Sequence, residues 1–135
     1  TDWQALQRST TADGAARPVL LYVWSPRMVL SARHAAEVQQ VATDLAIDWL
    51  VVHDGRVPDS EIQEARQTLD ADAQQVLAYS QPLCAQELIE ADAYRHFPSA
   101  WLVQQGRAAT RPLVSAMPPA YWRLGIEERL HSGEK

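Results

Sequence analysis

Apolar residues along this chain form two short continuous runs, separated by a longer segment in which they recur with helical spacing. The first run, Val19 to Trp24, is typical of a strand buried on both faces of a parallel sheet. The second run, Ile47 to His53, predicts another buried strand. From about Met28 to Ala46 the apolar period is 3.6 residues, which predicts a single helix. Its predicted apolar line consists of Leu30, His34, Val38, Val41 and Leu45.

Turn-forming and polar residues divide the middle of the chain into shorter predicted elements. Asp54-Gly55 predicts a turn, and Val57-Pro58 leads into a helix in which Ser60 and Gln63 are spaced as a capping box. Three further predictions follow: 70–75 is polar and exposed, 76–79 is a short strand, and Ser80-Gln81-Pro82 opens a helix that runs to about residue 95.

The last third of the chain predicts a hairpin and a closing helix. A strand over 99–104 and a tight turn at Gln105-Gly106 precede a returning strand over 107–114, which Pro112 restricts to a sheet edge. The closing helix, 120–131, offers Tyr121, Trp122, Ile126 and Leu130 for burial. With a short helix over 2–9 and a loop up to residue 17, the order predicts an α/β fold with a mixed, mainly parallel sheet covered by helices on both faces.

Composition restricts the function classes. The chain has 135 residues, a net charge of −5 and a pI near 5.2, so it lacks the basic surface that nucleic acids and anionic membranes select. It also contains no apolar run as long as a membrane span. The sequence begins at Thr1, so it leaves the choice between periplasm and cytoplasm open.

The single cysteine excludes an intramolecular disulfide and any metal site made of several cysteines. Cys84 shares a predicted helical face with Leu88 and Ala91, so we expect a buried, inert thiol; a reactive thiol is the alternative. His34 is expected at the edge of the core with a backbone partner, and a ligand role is the alternative. We predict no cofactor and no metal site. Copper is the alternative, through the scattered soft ligands Met28, His34, Cys84, His96 and Met117.

Three stretches of the chain resemble the thioredoxin-like superfamily. Trp24-Ser25-Pro26-Arg27-Met28 is similar to its Trp-Cys-x-x-Cys motif, residues 94–99 resemble its cis-proline loop, and residues 101–110 resemble the hairpin that follows. The segment 58–79 resembles an insertion of the bacterial periplasmic branch that serves cytochrome maturation. The resemblance implies a three-layer α/β/α, thioredoxin-like domain over 18–135, preceded by an N-terminal helix and loop over 1–17, in a periplasmic protein.

The departures from the family pattern remove its usual chemistry. Disulfide exchange requires a thiolate nucleophile and a resolving thiol, and the chain has Ser25 and Met28 at these two positions. The position of the family's buried carboxylate is occupied by Val19, and no glycine follows the last strand. We therefore expect no disulfide oxidoreductase activity from this motif.

The resemblance leaves a surface with which thioredoxins bind protein partners. The family's cis-proline, which the resemblance places at Pro98, presents the backbone of the preceding residue, here Phe97, to an extended peptide. Trp, Phe and Arg are common at interface hot spots. We therefore expect an adaptor, chaperone or assembly factor that binds a protein or extended peptide. One alternative is that this surface is vestigial, and another is a thiol carrier or enzyme that uses Cys84. The expected partner-binding residues are Trp24, Ser25, Pro26, Arg27, Met28, Phe97 and Pro98, which should form one apolar patch.

Overall fold

The computed structural model describes residues 18–90, 98–104, 107–108, 113–114 and 118–133. The predictions for the N-terminal helix and loop, for Phe97, His96, Pro112 and Met117, and for the turn at 105–106 lie outside these residues.

The described strands form one six-stranded mixed sheet. Its order is β3-β2-β1-β4-β5, and β6 also pairs with β4. β1, β2 and β3 are parallel to one another, and β4 is antiparallel to β1, β5 and β6. The strands are β1 (Val19–Trp24), β2 (Asp48–Asp54), β3 (Gln81–Leu83), β4 (Ser99–Gln104), β5 (Arg107–Ala108) and β6 (Leu113–Val114).

β1 lies at the centre of the molecule, and none of its residues is more than 5% exposed. Alternate side chains enter two cores, one on each face of the sheet: Tyr22 and Trp24 lie in one and Leu21 and Val23 in the other. This burial on both faces explains why the strand is a continuous apolar run. The helices are α1 (Val29–Arg33), α2 (Ala35–Asp44), α3 (Asp59–Gln67), α4 (Ala71–Val76), α5 (Ala85–Glu90) and α6 (Pro119–Gly133).

The helices cover the two faces of the sheet, which gives the expected three layers. Val38 of α2 and Trp122 and Ile126 of α6 enter the larger core, whereas Leu88 of α5 enters the smaller one. Among the described helices, none combines the length and apolar character needed to cross a membrane.

Three element predictions are wrong in detail. The helix predicted over 28–46 is divided at His34 into α1 and α2, and Leu30 is 54% exposed instead of buried. The strand predicted over 76–79 is formed instead by Gln81–Leu83, and 71–76 is helical. Pro82, which the prediction used as a helix start, is tolerated in β3 because this strand lies at the sheet edge.

Helix ends also differ from the predicted pattern. The N-cap of α3 is Pro58, and no side chain caps this helix, so the capping box of Ser60 and Gln63 does not form. A side-chain cap is instead found at α4, where Asp70 accepts a 2.8 Å hydrogen bond from the backbone N–H of Ala73. Beyond α2, Ala46 has a φ of 59°, in the left-handed region that usually takes glycine.

The C-terminal hairpin and helix are present. The returning strand is described as two short pieces, β5 and β6, that pair with opposite ends of β4. α6 buries Trp122 and Ile126 as expected, but Tyr121 is 60% exposed instead of buried. A Cβ on Gly125 would lie 2.3 Å from Leu113 Cδ2, so this glycine allows α6 to approach β6 closely.

Candidate functional site

Four chain segments meet at the carboxyl edge of the parallel strands. Because β1, β2 and β3 run in the same direction, the residues that follow Trp24, Asp54 and Leu83 leave the sheet at one edge. β4 begins at this edge, since Ser99 pairs with Val23. Pro98 therefore lies beside the end of β1, where it is buried.

The loop after β1 is held together by one hydroxyl group. Ser31 Oγ accepts a hydrogen bond of 3.0 Å from Ser25 N and lies 2.9 Å from Ser25 O and 2.6 Å from Met28 O. Ser31 O in turn accepts a 2.6 Å hydrogen bond from the buried Tyr22 hydroxyl. These bonds fix the loop to the core through its own side chains.

The outer face of the loop is apolar and exposed. Met28 is 47% exposed, Val29 51% and Leu30 54%, and Pro26 beside them is half-buried. Arg27 is exposed, and its Nε lies 3.3 Å from Glu61 Oε2 of α3. We call this face, Pro26 to Leu30, the loop surface.

Two of the expected partner-binding residues lie beneath this surface. Trp24 is 0% exposed and Ser25 1% exposed, so neither side chain contributes area to an apolar patch on the surface. Trp24 instead belongs to a partly buried polar chain, in which its Nε1 donates to Ser80 Oγ at 3.0 Å and Ser80 Oγ lies 2.7 Å from His53 Nδ1. Trp24 and His53 also contact each other edge to face, with ring centroids 5.9 Å apart.

The sequence pattern marks neither His53 nor Ser80 as a site residue. His53 is 5% exposed, and its burial lowers its pKa; Asp59 and Asp54 oppose this effect, and Arg66 adds to it. The position of His53 near the carboxyl end of a buried strand could have indicated a site residue, because binding sites of α/β sheets lie at the carboxyl ends of the strands. The sequence does not indicate a role for Ser80, because its partners Trp24 and His53 are 56 and 27 residues away along the chain.

Asp54 and Arg56 form a second polar pair at this edge. Asp54 is 2% exposed, and its carboxylate accepts bonds of 2.8 and 3.0 Å from the Arg56 guanidinium and 3.0 Å from the Arg56 backbone N–H. Burial raises the pKa of the Asp54 carboxyl, but the bonds and charge of Arg56 outweigh it and hold that pKa below its usual value. Asp54 therefore stays ionised and fixes the turn after β2.

The prediction that Cys84 is buried is wrong, because the structure shows it exposed. Cys84 precedes α5, and its backbone N–H donates to Glu87 Oε2 at 3.1 Å. Its position is set by Gly55, whose N–H donates to Leu83 O at 2.6 Å. A Cβ on Gly55 would lie 2.4 Å from that oxygen, so only glycine permits this approach.

The expected backbone partner of His34 is replaced by a carboxylate. His34 Nδ1 lies 2.9 Å from Glu37 Oε2 on the surface of α2. Within the described ranges, no cluster of three His, Cys, Asp or Glu side chains is arranged to hold a metal ion.

Comparison with known proteins identifies the fold. A secreted disulfide oxidoreductase of Mycobacterium tuberculosis, described as homologous to E. coli DsbE, matches 87% of this chain over 85% of its own length, with a TM-score of 0.54 and 16% sequence identity. Neither the protein-family models nor the curated proteins give a match.

The fold is therefore thioredoxin-like, with a mixed α/β architecture. In this chain the loop after β1 has serine and methionine at the positions that cysteines occupy in the Trp-Cys-x-x-Cys motif, and Cys84 is the single cysteine.

Proposed function

We propose that this protein is a redox-inactive thioredoxin-like module that binds a protein or extended peptide through the loop surface. It would serve as an adaptor, chaperone or assembly factor. The observation that carries the proposal is the exposure of Met28, Val29 and Leu30, which are consecutive and each about half exposed. Contiguous exposed apolar side chains mark interaction sites more often than isolated ones do.

The surroundings of the loop surface support the same proposal. Its backbone is held by the Ser31 hydroxyl, so a partner meets a preformed surface and little ordering free energy is lost on binding. Arg27 and Glu61 add a charged rim on which an extended peptide can be oriented. Pro98 and Phe97 remain part of the proposed site through the family resemblance, and Trp24 and Ser25 would support it from below.

The test is a peptide-display selection with the full chain, followed by titration of the selected peptides by fluorescence anisotropy. Leu30→Ser should lower affinity about tenfold or more, as expected for truncation of a central apolar anchor. Leu124→Ser is the matched control, because Leu124 on α6 is 59% exposed and Leu30 is 54% exposed. Equal affinities for Leu30→Ser and Leu124→Ser, or no selected peptide, would contradict the proposal.

A thiol carrier or thiol enzyme is the second candidate, and the exposure of Cys84 favours it. In this mechanism the Cys84 thiolate attacks one sulfur of glutathione disulfide, forms a mixed disulfide and releases one glutathione thiolate. Intact-mass measurement after incubation with glutathione disulfide should then show one adduct, absent from Cys84→Ser. Peptide binding that is unchanged in Cys84→Ser would separate this candidate from the adaptor proposal.

The proposed compartment is the periplasm, with the cytoplasm as the alternative. The support is that the structural neighbour is described as secreted. Immunoblots of periplasmic and cytoplasmic fractions from the source cells would distinguish the two compartments.

A further inference from the structure

A groove of about 500 Å³ lies between α2 and α4, beside β2. This volume is within the range of small-molecule sites. The groove is lined by residues of α2 and α4 together with Trp49 of β2 and Tyr79 of the turn after α4. No residue of the loop surface lines it, and neither does Cys84, so it is independent of the proposed partner-binding site.

Two aromatic side chains line the groove. Trp49 is partly buried and stacks on the buried Tyr22, with ring centroids 5.0 Å apart and planes inclined by 30°. The indole is therefore held in place by the core. Tyr79, in contrast, is 89% exposed. A ligand ring placed against these side chains would remove aromatic surface from water without rearranging the core.

A buried donor in the groove wall lacks a partner. Trp49 Nε1 is buried and makes no hydrogen bond within the described part of the chain. Buried N–H groups in proteins are almost always bonded. Trp122 Nε1 in the larger core is unpaired in the same way, so an unpaired indole N–H does not by itself mark a ligand site.

The remaining polar lining is neutral or acidic. Gln39 and Gln75 present amides, which offer both donors and acceptors, and Asp72 presents a carboxylate acceptor. Gln40, the other amide, is engaged with Asp44 at 2.9 Å. Among the described residues that line the groove there is no Lys, Arg or His, so none of them compensates an anionic ligand.

We propose that this groove binds a neutral, hydroxyl-rich ring compound, that is, a saccharide unit. Each hydroxyl of such a ring donates and accepts hydrogen bonds, which matches the amides of Gln39 and Gln75. Its apolar ring face packs on Trp49 and Tyr79.

The test uses the full isotope-labelled chain titrated with maltotriose, cellotriose and N,N′-diacetylchitobiose, followed by amide chemical shifts. At least one of these sugars should give saturable shifts centred on Gln39, Gln75 and Tyr79. Galacturonate trimer is the charged counterpart and should bind more weakly. Absence of saturable shifts with all three neutral sugars, or equal binding of the galacturonate trimer, would overturn the proposal.

Two matched tyrosine variants test whether the sugar binds in this groove. Tyr79→Ala should weaken binding of the best sugar about tenfold, because one stacking face is lost. Tyr121→Ala is the control: Tyr121 is also largely exposed, at 60%, but lies on α6 away from the groove lining. Tyr79 is nearly all in solvent, so its removal should leave the fold intact, as amide spectra of the free variant would show. An equal loss in both variants, or none in Tyr79→Ala, would refute the assignment.

Discussion

The indole Nε1 of Trp24 donates a 3.0 Å hydrogen bond to Ser80 Oγ, and this bond joins the end of the central strand to the turn before β3. Ser80 Oγ also lies 2.7 Å from His53 Nδ1. Trp24 Nε1 can only donate, so Ser80 Oγ accepts from it; the same hydroxyl donates to His53 Nδ1 or accepts from it according to the tautomer of His53. The Ser80 hydroxyl thus provides a hydrogen-bond partner for Trp24 of β1 and for His53 of β2.

Ser80→Ala should destabilise the protein by about 1–3 kcal/mol, because it leaves the Trp24 N–H buried without a partner and removes the His53 bond. Urea unfolding of the variant measures the change. Ser60→Ala is the control: Ser60 is exposed on α3 and should change stability by less than about 0.5 kcal/mol. A Ser80→Ala midpoint equal to that of Ser60→Ala would show that the bond contributes nothing.

Stability should fall as the pH is lowered through the range in which His53 titrates in the unfolded chain. Burial lowers the pKa of His53 in the folded protein, so below its usual value of 6.5 the unfolded chain binds a proton that the folded chain does not. The free energy of unfolding therefore decreases from about pH 7 downward, by at most about 1.4 kcal/mol per pH unit. Urea unfolding between about pH 5 and pH 8 measures this slope.

The slope can be assigned with one histidine variant. His53→Gln should flatten the pH dependence between about pH 5 and pH 8, because glutamine cannot take up the proton. The flattening is specific to His53 because Asp54, whose pKa is lowered, contributes its own acid loss only below about pH 4. An unchanged slope in His53→Gln would place the proton uptake elsewhere.

Gly55→Ala should cost about 2–3 kcal/mol, since the new Cβ would lie 2.4 Å from the carbonyl oxygen of Leu83 and force β2 and β3 apart. Gly125→Ala is the comparison. There the close atom is the Leu113 side chain, which can shift, and alanine favours the helix, so the net change should stay within about 1 kcal/mol. Thermal unfolding of the two variants ranks them. Equal effects would mean that the β2–β3 contact tolerates a Cβ.

Ala46→Gly should stabilise the protein by about 0.5–1 kcal/mol, because Ala46 has a φ of 59° that glycine adopts without a steric cost. Ala65→Gly, in the interior of α3, should destabilise the protein by about 0.5–1 kcal/mol, because glycine loses more backbone entropy in a helix than alanine does. Urea midpoints measure both changes. A loss of stability in Ala46→Gly would contradict this explanation.

Glu61→Gln should change stability by less than about 0.5 kcal/mol, because both partners of the Arg27–Glu61 pair are largely in solvent. Arg27→Glu should likewise unfold at nearly the wild-type urea concentration while reducing peptide binding. The two measurements together test whether Arg27 acts in recognition. A large loss of stability in either variant would mean that the pair holds the loop.

The sequence predicts the centre of the fold better than its edge. The bounds of β1 are predicted correctly because burial on both faces leaves an uninterrupted apolar run. β3 is missed because its Gln81 and Pro82 are exposed at a sheet edge, where pairing with β2 decides the conformation and apolar pattern does not.

The sequence does not predict which residues near the loop after β1 are exposed. The sequence predicts that Cys84 and Leu88 share a helical apolar face, and Leu88 is indeed buried. The helix α5, however, begins at Ala85, the residue after Cys84, so Cys84 lies outside the helix and is exposed. Likewise, a tryptophan before a loop carries no signal for depth, and the burial of Trp24 results from packing and from Ser80 far along the chain.

The Ser31 hydroxyl has a consequence for where such a protein can work. In a loop that is closed by a disulfide, the conformation of the loop depends on the redox state of the compartment. Here the same turn is closed by hydrogen bonds of an alcohol that neither glutathione nor oxygen alters. The backbone of this loop is therefore held by bonds that do not depend on the thiol–disulfide balance of the compartment.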